Sequence, residues 1–366
     1  NLEPKDAEKW LRKLADLSII EYGQTVSIHR LTQQALRSRA SAKARTAALV
    51  SLLQTLQSVF TKVLNAPENW PIQDAHAPHA VACSSGTAAL HLAALALDLG
   101  PGDAAVVPSV TFLATANALR YVGADVVFAD VDPETGLLTP AALEDALKRS
   151  ANDKGKRIKA VFPVHLAGQC ADMAALEPPA RRHGLKIVED ACHAVGAACG
   201  GRPVGACDWS DMAVFSFHPV KTIAMGEGGA VTTRDAALAQ RLCDLRNHGM
   251  VRDPARFEIR DQAFDADGQP NPWYYEMPEP GFNYRASDIH CALGLSQIGK
   301  LGRFVAERRR IVDWYAEELA PLAPVVRPMA RVPGCEPAWH LCAARIDFAA
   351  AGVSRVRVMR ALAAAG

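Results

Sequence analysis

The sequence has no excess of either charge. Lys and Arg number 40 against 39 Asp and Glu, a net of +1 with neutral histidine. Nothing global therefore points to nucleic acid or to an acidic membrane surface. It has no apolar run of the ~18 residues that a membrane span needs. The longest candidate, Thr87 to Leu99, is interrupted by His91 and Asp98. The basic start, apolar stretch and cleavage site of a signal peptide are missing. The first residue is Asn1 rather than Met, as in a fragment. The nine cysteines are odd in number, scattered, and nowhere spaced as CxxC. They read as reduced thiols of a cytoplasmic protein, mostly small core residues. What remains is ordinary: 49% hydrophobic and 22% charged residues exclude a disordered or collagen-like chain. A length of 366 residues fits two or three domains, or one large α/β domain with a smaller one.

The pattern of elements divides the chain. Asp6 to Leu17 reads as a short amphipathic helix, and Ile19 to Ile28 as a hairpin turning at Gly23-Gln24. Thr32 to Leu64 is a long helical pattern without Gly or Pro. Its basic cluster, Arg37 to Arg45, reads as a solvated face. A Pro/His-rich linker runs to Pro78. From His79 short apolar runs alternate with helical stretches. Strands are expected at Ala80–Cys83, Ala105–Val107, Asp125–Ala129, Ile158–Phe162, Lys186–Glu189 and Met212–Phe215. Helices are expected from Thr87, over Phe112–Tyr121, from Thr139-Pro140 to Arg149, and over Ala286–Leu319 in two parts. Trp339–Phe348 reads as strand and the residues from Val353 as a last helix. Continuous apolar strands alternating with helices predict a largely parallel sheet covered on both faces.

Four segments carry candidate chemistry. Ser84-Ser85-Gly86-Thr87 lies between a strand and a helix. Free amides, a hydroxyl and the positive end of a helix dipole make a phosphate cradle there, although such a Ser or Thr is more often a plain N-cap. Glu189-Asp190-Ala191-Cys192-His193 ends an apolar strand, where α/β sheets bind ligands. An acid held against a pyridine nitrogen keeps it protonated and makes the ring an electron sink; the ordinary alternative is a carboxylate capping the next turn. Ser216 to Lys221, followed by Gly226-Glu227-Gly228-Gly229, places one lysine after a strand and a polar turn. Partial desolvation there lowers a lysine pKa and favours a Schiff base, whereas most isolated lysines are surface charges. Gly281 to Arg285 is a polar, aromatic loop before a helix whose first turn carries Asp288. Phosphate loop, acid and lysine, in that order, are what pyridoxal phosphate needs.

From about His79 onward the sequence resembles the DegT/DnrJ/EryC1/StrS sugar aminotransferases. The likeness rests on Ser-Ser-Gly-Thr-Ala-Ala-Leu from Ser84, Glu-Asp-Ala-Cys-His-Ala from Glu189, Ser-Phe-His-Pro-Val-Lys from Ser216, Gly-Glu-Gly-Gly from Gly226 and Arg-Asn-His-Gly from Arg246. Trp273-Tyr274-Tyr275-Glu276-Met277, Phe282 to Arg285 and Ala292 to Gln297 resemble most the branch of pseudaminic acid biosynthesis. That branch aminates UDP-linked 4-keto-6-deoxy-N-acetylhexosamines with glutamate. The resemblance implies the α/β fold of type I pyridoxal phosphate enzymes: a three-layer α/β/α domain with a mostly parallel mixed sheet, and a smaller C-terminal α/β domain. It implies an N-terminal block at 1–78, a cofactor-binding domain at 79–300 and part of the small domain at 301–366. Lys221 becomes the Schiff-base lysine and proton carrier, Asp190 the partner of the pyridine nitrogen, and His193 a neighbour of the ring's phenolic oxygen. Phe112 would stack on the ring. Ser85, Gly86, Thr87 and Ser216 would hold the phosphate. Asn283 would reach the phosphate of a second subunit, so a homodimer is expected. No metal is expected.

Both ends depart from the family pattern. The usual Trp-Leu-Thr-x-Gly-Pro-like opening is replaced by Asn1 to Pro78, of which Leu14 to Ala40 faintly resembles the winged-helix region of signalling ATPases. The small domain is expected to continue beyond Gly366. A sugar 3-dehydratase of the same fold would carry His where Lys221 stands. A C3-aminating relative and a fused or truncated non-catalytic chain are the other readings.

Overall fold

The structure, a computed structural model, describes residues 79–150 and 156–365. All of these lie in the larger of two units, Glu68–Gly366; the other is Asn1–Pro67. The helices and hairpin expected between Asp6 and Leu64, the linker to Pro78 and the winged-helix likeness lie outside the described residues.

The alternation of apolar runs and helices becomes β1 (His79–Cys83), α1 (Gly86–Ala96), β2 (Asp103–Pro108), α2 (Ala114–Tyr121), β3 (Asp125–Ala129), α3 (Pro140–Ser150), β4 (Arg157–Val161), α4 (Met173–Arg182) and β5 (Lys186–Asp190). Two short strands follow, β6 (Ala198–Cys199) and β7 (Arg202–Pro203), then β8 (Met212–Ser216), β9 (Gly229–Thr233), α5 (Ala236–Leu245) and the single turn α6 (Arg260–Ala263). The remainder is α7 (Asp288–Ile298), α8 (Leu301–Leu319), β10 (Val326–Pro328), β11 (Cys335–Glu336), β12 (Ala344–Ile346) and α9 (Arg355–Ala365).

Seven strands form one sheet in the order β1-β9-β8-β5-β4-β2-β3. Five of them, β8 through β3 in that order, are parallel neighbours. Strand β9 runs antiparallel to both β1 and β8. The sheet is thus mixed and mostly parallel. Strand alternation sends successive residues to opposite faces. Ala105, Val107, Ala160, Phe162 and Val188 pack in one cluster with Leu90, Leu92, Leu119 and Leu242 of the helices. Val106, Val161 and Ile187 point the other way, onto Leu143, Leu147 and Leu176. Ala213, Phe215 and Ala230 continue that second face and meet Cys291, Ile298 and Leu301. Helices on both faces bury the central strands completely, and these are apolar, whereas the edge strand β3 leaves Phe128 half-exposed.

Three details differ from expectation. Strand β9 follows the Gly226–Gly229 glycines and was not expected as a strand. Helix α4 forms although Pro178 and Pro179 lie inside it. Of Trp339–Phe348 only Ala344–Ile346 is strand. The start of that stretch gives its hydrogen bonds to a loop instead: Ala338 N–H to Gly168 O at 3.0 Å and His340 N–H to Ala167 O at 2.8 Å. Among the described residues no helix is long and apolar enough to cross a membrane.

Candidate active site

Strands β1, β2, β4, β5 and β8 point the same way, so their C-terminal ends share one edge of the sheet. Such an edge is where open α/β sheets bind ligands. It brings three of the four sequence segments together.

The first is the start of α1. Ser85 is its N-cap and accepts from Ala88 N–H at 3.0 Å. The amides of Gly86 and Thr87 fall in the first turn, whose N–H groups have no partner within a helix. A Cβ on Gly86 would stand 2.7 Å from the Cβ of Ser216. Glycine is therefore what lets this turn lie against the end of β8, with the Ser216 hydroxyl beside it. Gly229 is equally constrained, because a Cβ there would run into the Ser85 carbonyl. The result is a cradle of amides and hydroxyls at the positive end of an 11-residue helix.

The second is the end of β5. Asp190 is 5% exposed. Its Oδ2 accepts from the Thr115 hydroxyl at 2.7 Å and its Oδ1 from Cys192 N–H at 3.2 Å. Thr115 is the second residue of α2, is fully buried, and pairs with the Thr111 hydroxyl at 2.8 Å. The carboxylate is thus held from two sides. The preceding Glu189 faces the other way. It accepts from Ser210 Oγ at 2.5 Å and pairs with His165 Nε2 at 2.8 Å. The other ring nitrogen of His165 accepts from Ala171 N–H at 3.0 Å. This buried set ties the loop 163–171 to β5.

The third is the loop between β8 and β9. Phe217 N–H donates to Gly228 O at 2.8 Å and Met225 N–H to Phe217 O at 2.9 Å, which closes its base. Lys221 projects from it, half-buried. Burial holds the Lys221 ammonium below its ordinary pKa, opposed by Cys192 and Asp190. Beside it, Thr222 Oγ1 is buried without a hydrogen-bond partner. His193 is pushed down to about 4, by burial first and then by Lys221, with Asp190 opposing. Its Nδ1 accepts from Ala167 N–H at 3.3 Å, which fits a neutral ring.

Sequence reasoning did not find His340. Its ring centroid is 4.6 Å from that of His193. Burial, His193, Lys221 and Arg308 push it down to about 3, and its Nδ1 is buried without a partner. Thr115 and His165 were missed as well. A lone His or Thr carries no motif; only the fold brings these side chains to the sheet edge.

Phe112 is 61% exposed at the rim, ahead of α2. Asn283 is exposed, and its backbone pairs with that of Asn247. The Arg-Asn-His-Gly motif fastens this loop. Tyr284 N–H donates to Arg246 O at 3.0 Å, His248 N–H to Phe282 O at 2.9 Å, and Ser84 N–H to Tyr284 O at 2.7 Å. The loop that carries Asn283 is thereby tied to Ser84, which leads into the α1 cradle. Helix α7 starts two residues later than expected, at Asp288, capped by the Ser287 hydroxyl.

A carboxylate, a part-desolvated lysine with the unpaired Thr222 hydroxyl beside it, and a helix-end cradle form a donor set that fits pyridoxal phosphate. Comparison with known proteins agrees. GDP-perosamine synthase of Caulobacter vibrioides is 41% identical over 262 residues, which are 71% of this chain and 63% of that protein. The chain thus spans less than two thirds of the length of this curated relative. The structure of DesI, solved in the presence of its TDP-sugar product, superposes with a TM-score of 0.67 at 32% identity, covering 84% of this chain and 74% of that one. The PLP form of Spr1654 from Streptococcus pneumoniae gives a TM-score of 0.62 at 26% identity, over 76% and 72% of the two chains. The model of the DegT/DnrJ/EryC1/StrS aminotransferase family matches residues 72–366, and the chain belongs to that family.

Proposed function

We propose that this chain, as a homodimer carrying pyridoxal phosphate, moves the amino group of L-glutamate to the C4 ketone of a UDP-linked 4-keto-6-deoxy-N-acetylhexosamine. The step would belong to nucleotide-sugar biosynthesis of the pseudaminic acid type. Residues 79–300 would bind the cofactor and 301–366 would be part of the small domain. The observation that carries the chemistry is the convergence of Lys221, Asp190 and the Gly86–Ser216 cradle on one sheet edge. The branch likeness of the Trp273–Met277 and Phe282–Arg285 segments carries the sugar.

When bound, the cofactor supplies an electron sink and an amino-group carrier. The protein's part is positional and acid–base. The Gly86 and Thr87 amides and the Ser216 hydroxyl would hold the phosphate, with Ser85 shaping the turn. Asp190, fixed by Thr115 and by Cys192 N–H, would keep a proton on the pyridine nitrogen. Phe112 would cover one ring face, and Asn283 would reach the phosphate of the second subunit. The Lys221 amine would take the substrate's Cα proton and return it to the carrier carbon. Its lowered pKa enlarges the neutral fraction available for that transfer. A neutral His193 puts no second cation beside it.

A second reading, a GDP-linked sugar, is favoured by the 41% identity to GDP-perosamine synthase. Amination of a C3 ketone and a non-catalytic homologue are the remaining readings. The test is amine formation from glutamate with UDP-linked 4-keto, UDP-linked 3-keto and GDP-linked keto-sugars, followed by mass spectrometry. The highest kcat/KM is expected for the UDP-linked 4-ketone. Preference for the GDP sugar would replace the nucleotide assignment. No amine from any of them, with cofactor bound, would make the chain non-catalytic.

A further inference from the structure

Three cysteines outside the cofactor site share one small apolar cluster. Cys170 and Ala338 are buried in it with Ala194, Ala197 and Val305, and Cys199 and Cys335 pack against them. Cys335 lies on β11, directly across from Cys199 on β6. Cys170 N–H donates to Cys335 Sγ at 3.2 Å. The Cys170 thiol itself donates to Ala198 O at 3.5 Å, on the strand β6 that pairs with β11. All three thiols are free.

We infer that Cys335 is an oxidation site that closes a reversible disulfide with Cys170 when the protein meets a peroxide. The two thiols differ in the way a peroxide-reactive pair must. Cys335 is half-buried, and the Cys170 N–H donated to its sulfur, with His165 and Arg309 nearby, holds its thiol below the ordinary value. Both the donated N–H and the nearby cations favour the thiolate, which is the nucleophile. Cys170 is 1% exposed, and its thiol is pushed far up by Cys335 and by burial. It stays protonated and shielded until a neighbour is oxidised.

The chemistry balances. The Cys335 thiolate attacks one peroxide oxygen; the S–O bond forms, the O–O bond breaks, and the departing hydroxide takes a proton to become water. The Cys170 sulfur, giving up its proton, then attacks the sulfenic sulfur. The S–S bond forms, the S–O bond breaks, and the hydroxide leaves with that proton as a second water. The thiols lose two electrons and the peroxide gains them.

The bond would act on the cofactor site, a consequence that rests on the aminotransferase reading above. The segment after Cys335 hangs on the turn just before Cys170 through Ala338 N–H to Gly168 O and His340 N–H to Ala167 O. Ala167 in turn donates to His193 Nδ1. Gly168 has φ +100° and no room for even a Cβ beside the Ala338 carbonyl. Drawing two thiols into a bond of ~2.05 Å therefore shifts that loop, and His193 with it.

The full chain with pyridoxal phosphate is treated with hydrogen peroxide, its free thiols alkylated, and its peptides mapped without reduction. A Cys170–Cys335 linked pair is expected, lost after dithiothreitol, absent in Cys335→Ser and retained in Cys199→Ser. Cys335 left alkylatable, oxidised only to sulfinic acid, or paired with Cys199 would overturn the assignment. Glutamate turnover is expected to fall about tenfold on oxidation and to recover with dithiothreitol, since ~1 Å of misplacement costs up to ~10²-fold. A disulfide that leaves turnover unchanged would overturn the link to the site. A disulfide in a chain that aminates no sugar would uphold the oxidation site and sink only the aminotransferase reading.

Discussion

Every residue of β2, β8 and β9 is buried, whereas α7 and α9 have no buried residue and α8 buries only Val305 and Val312. Both regions reach the same site. The sheet delivers Asp190, Ser216 and the Lys221 loop from strand ends that sit in a core of their own. The later chain delivers His340 through a few backbone hydrogen bonds to the 166–168 loop, while Ile289, Val356, Met359 and Leu362 stay exposed. The contrast divides the work. On the proposed function, the groups that would hold a fixed position for proton transfer are set by the sheet, and His340 beside His193 comes from the less embedded region.

The contrast can be broken at its strongest point first. Lys221→Ala is expected to lower transamination by ~10³-fold or more, the scale of a lost acid–base group, while leaving the melting temperature within a few degrees. A variant that keeps a tenth of its activity would remove Lys221 from the chemistry.

Core substitutions come next. Leu242 is fully buried among the sheet and helices, and Leu362 is 64% exposed on α9. Leu242→Ala is expected to cost about 2–5 kcal/mol and Leu362→Ala less than about 0.5 kcal/mol, read by denaturant unfolding. Equal costs would mean that the later helix is packed as firmly as the sheet.

Thr115→Val removes one hydrogen bond to Asp190 without changing shape. The loss of a bond to a charged group, about 1.5–3 kcal/mol, should appear as a fall in kcat of about tenfold or more with little change in KM for glutamate. A change confined to KM would place Thr115 in substrate binding instead.

The smallest expected effect is a pH slope. His193 and His340 are held down to about 4 and about 3, below the ordinary histidine value near 6.5. The unfolded chain therefore binds more protons than the folded one between those values, and stability rises with pH there. Stability should be level above about pH 6.5 and decline as the pH falls toward the folded values. His340→Asn should flatten part of the decline; an unchanged slope would show that its ring is not buried against His193.

Much of this was legible from residue patterns. The continuous apolar strands and the Thr139-Pro140 helix start are local, and they were placed to within a residue or two. The motifs at Ser84, Glu189 and Ser216 are contiguous, so the three sheet-edge segments were found. What escaped was set by packing between distant segments. Gly229–Thr233 is five residues behind a glycine turn, too short to announce a strand. Its antiparallel pairing with β1 and β8 exists only in the sheet. The Trp339 stretch has β-like composition, but its backbone partners lie at 167–168, about 170 residues earlier. His340 was invisible for the same reason: its role comes from lying beside His193.

The most direct test of the account is covalent. Pyridoxal phosphate is bound to the full chain, reduced in place with borohydride, and the labelled peptide identified by mass spectrometry. The account predicts one pyridoxyl group, on Lys221, and none in Lys221→Ala. A label on another lysine, or none at all, would contradict it.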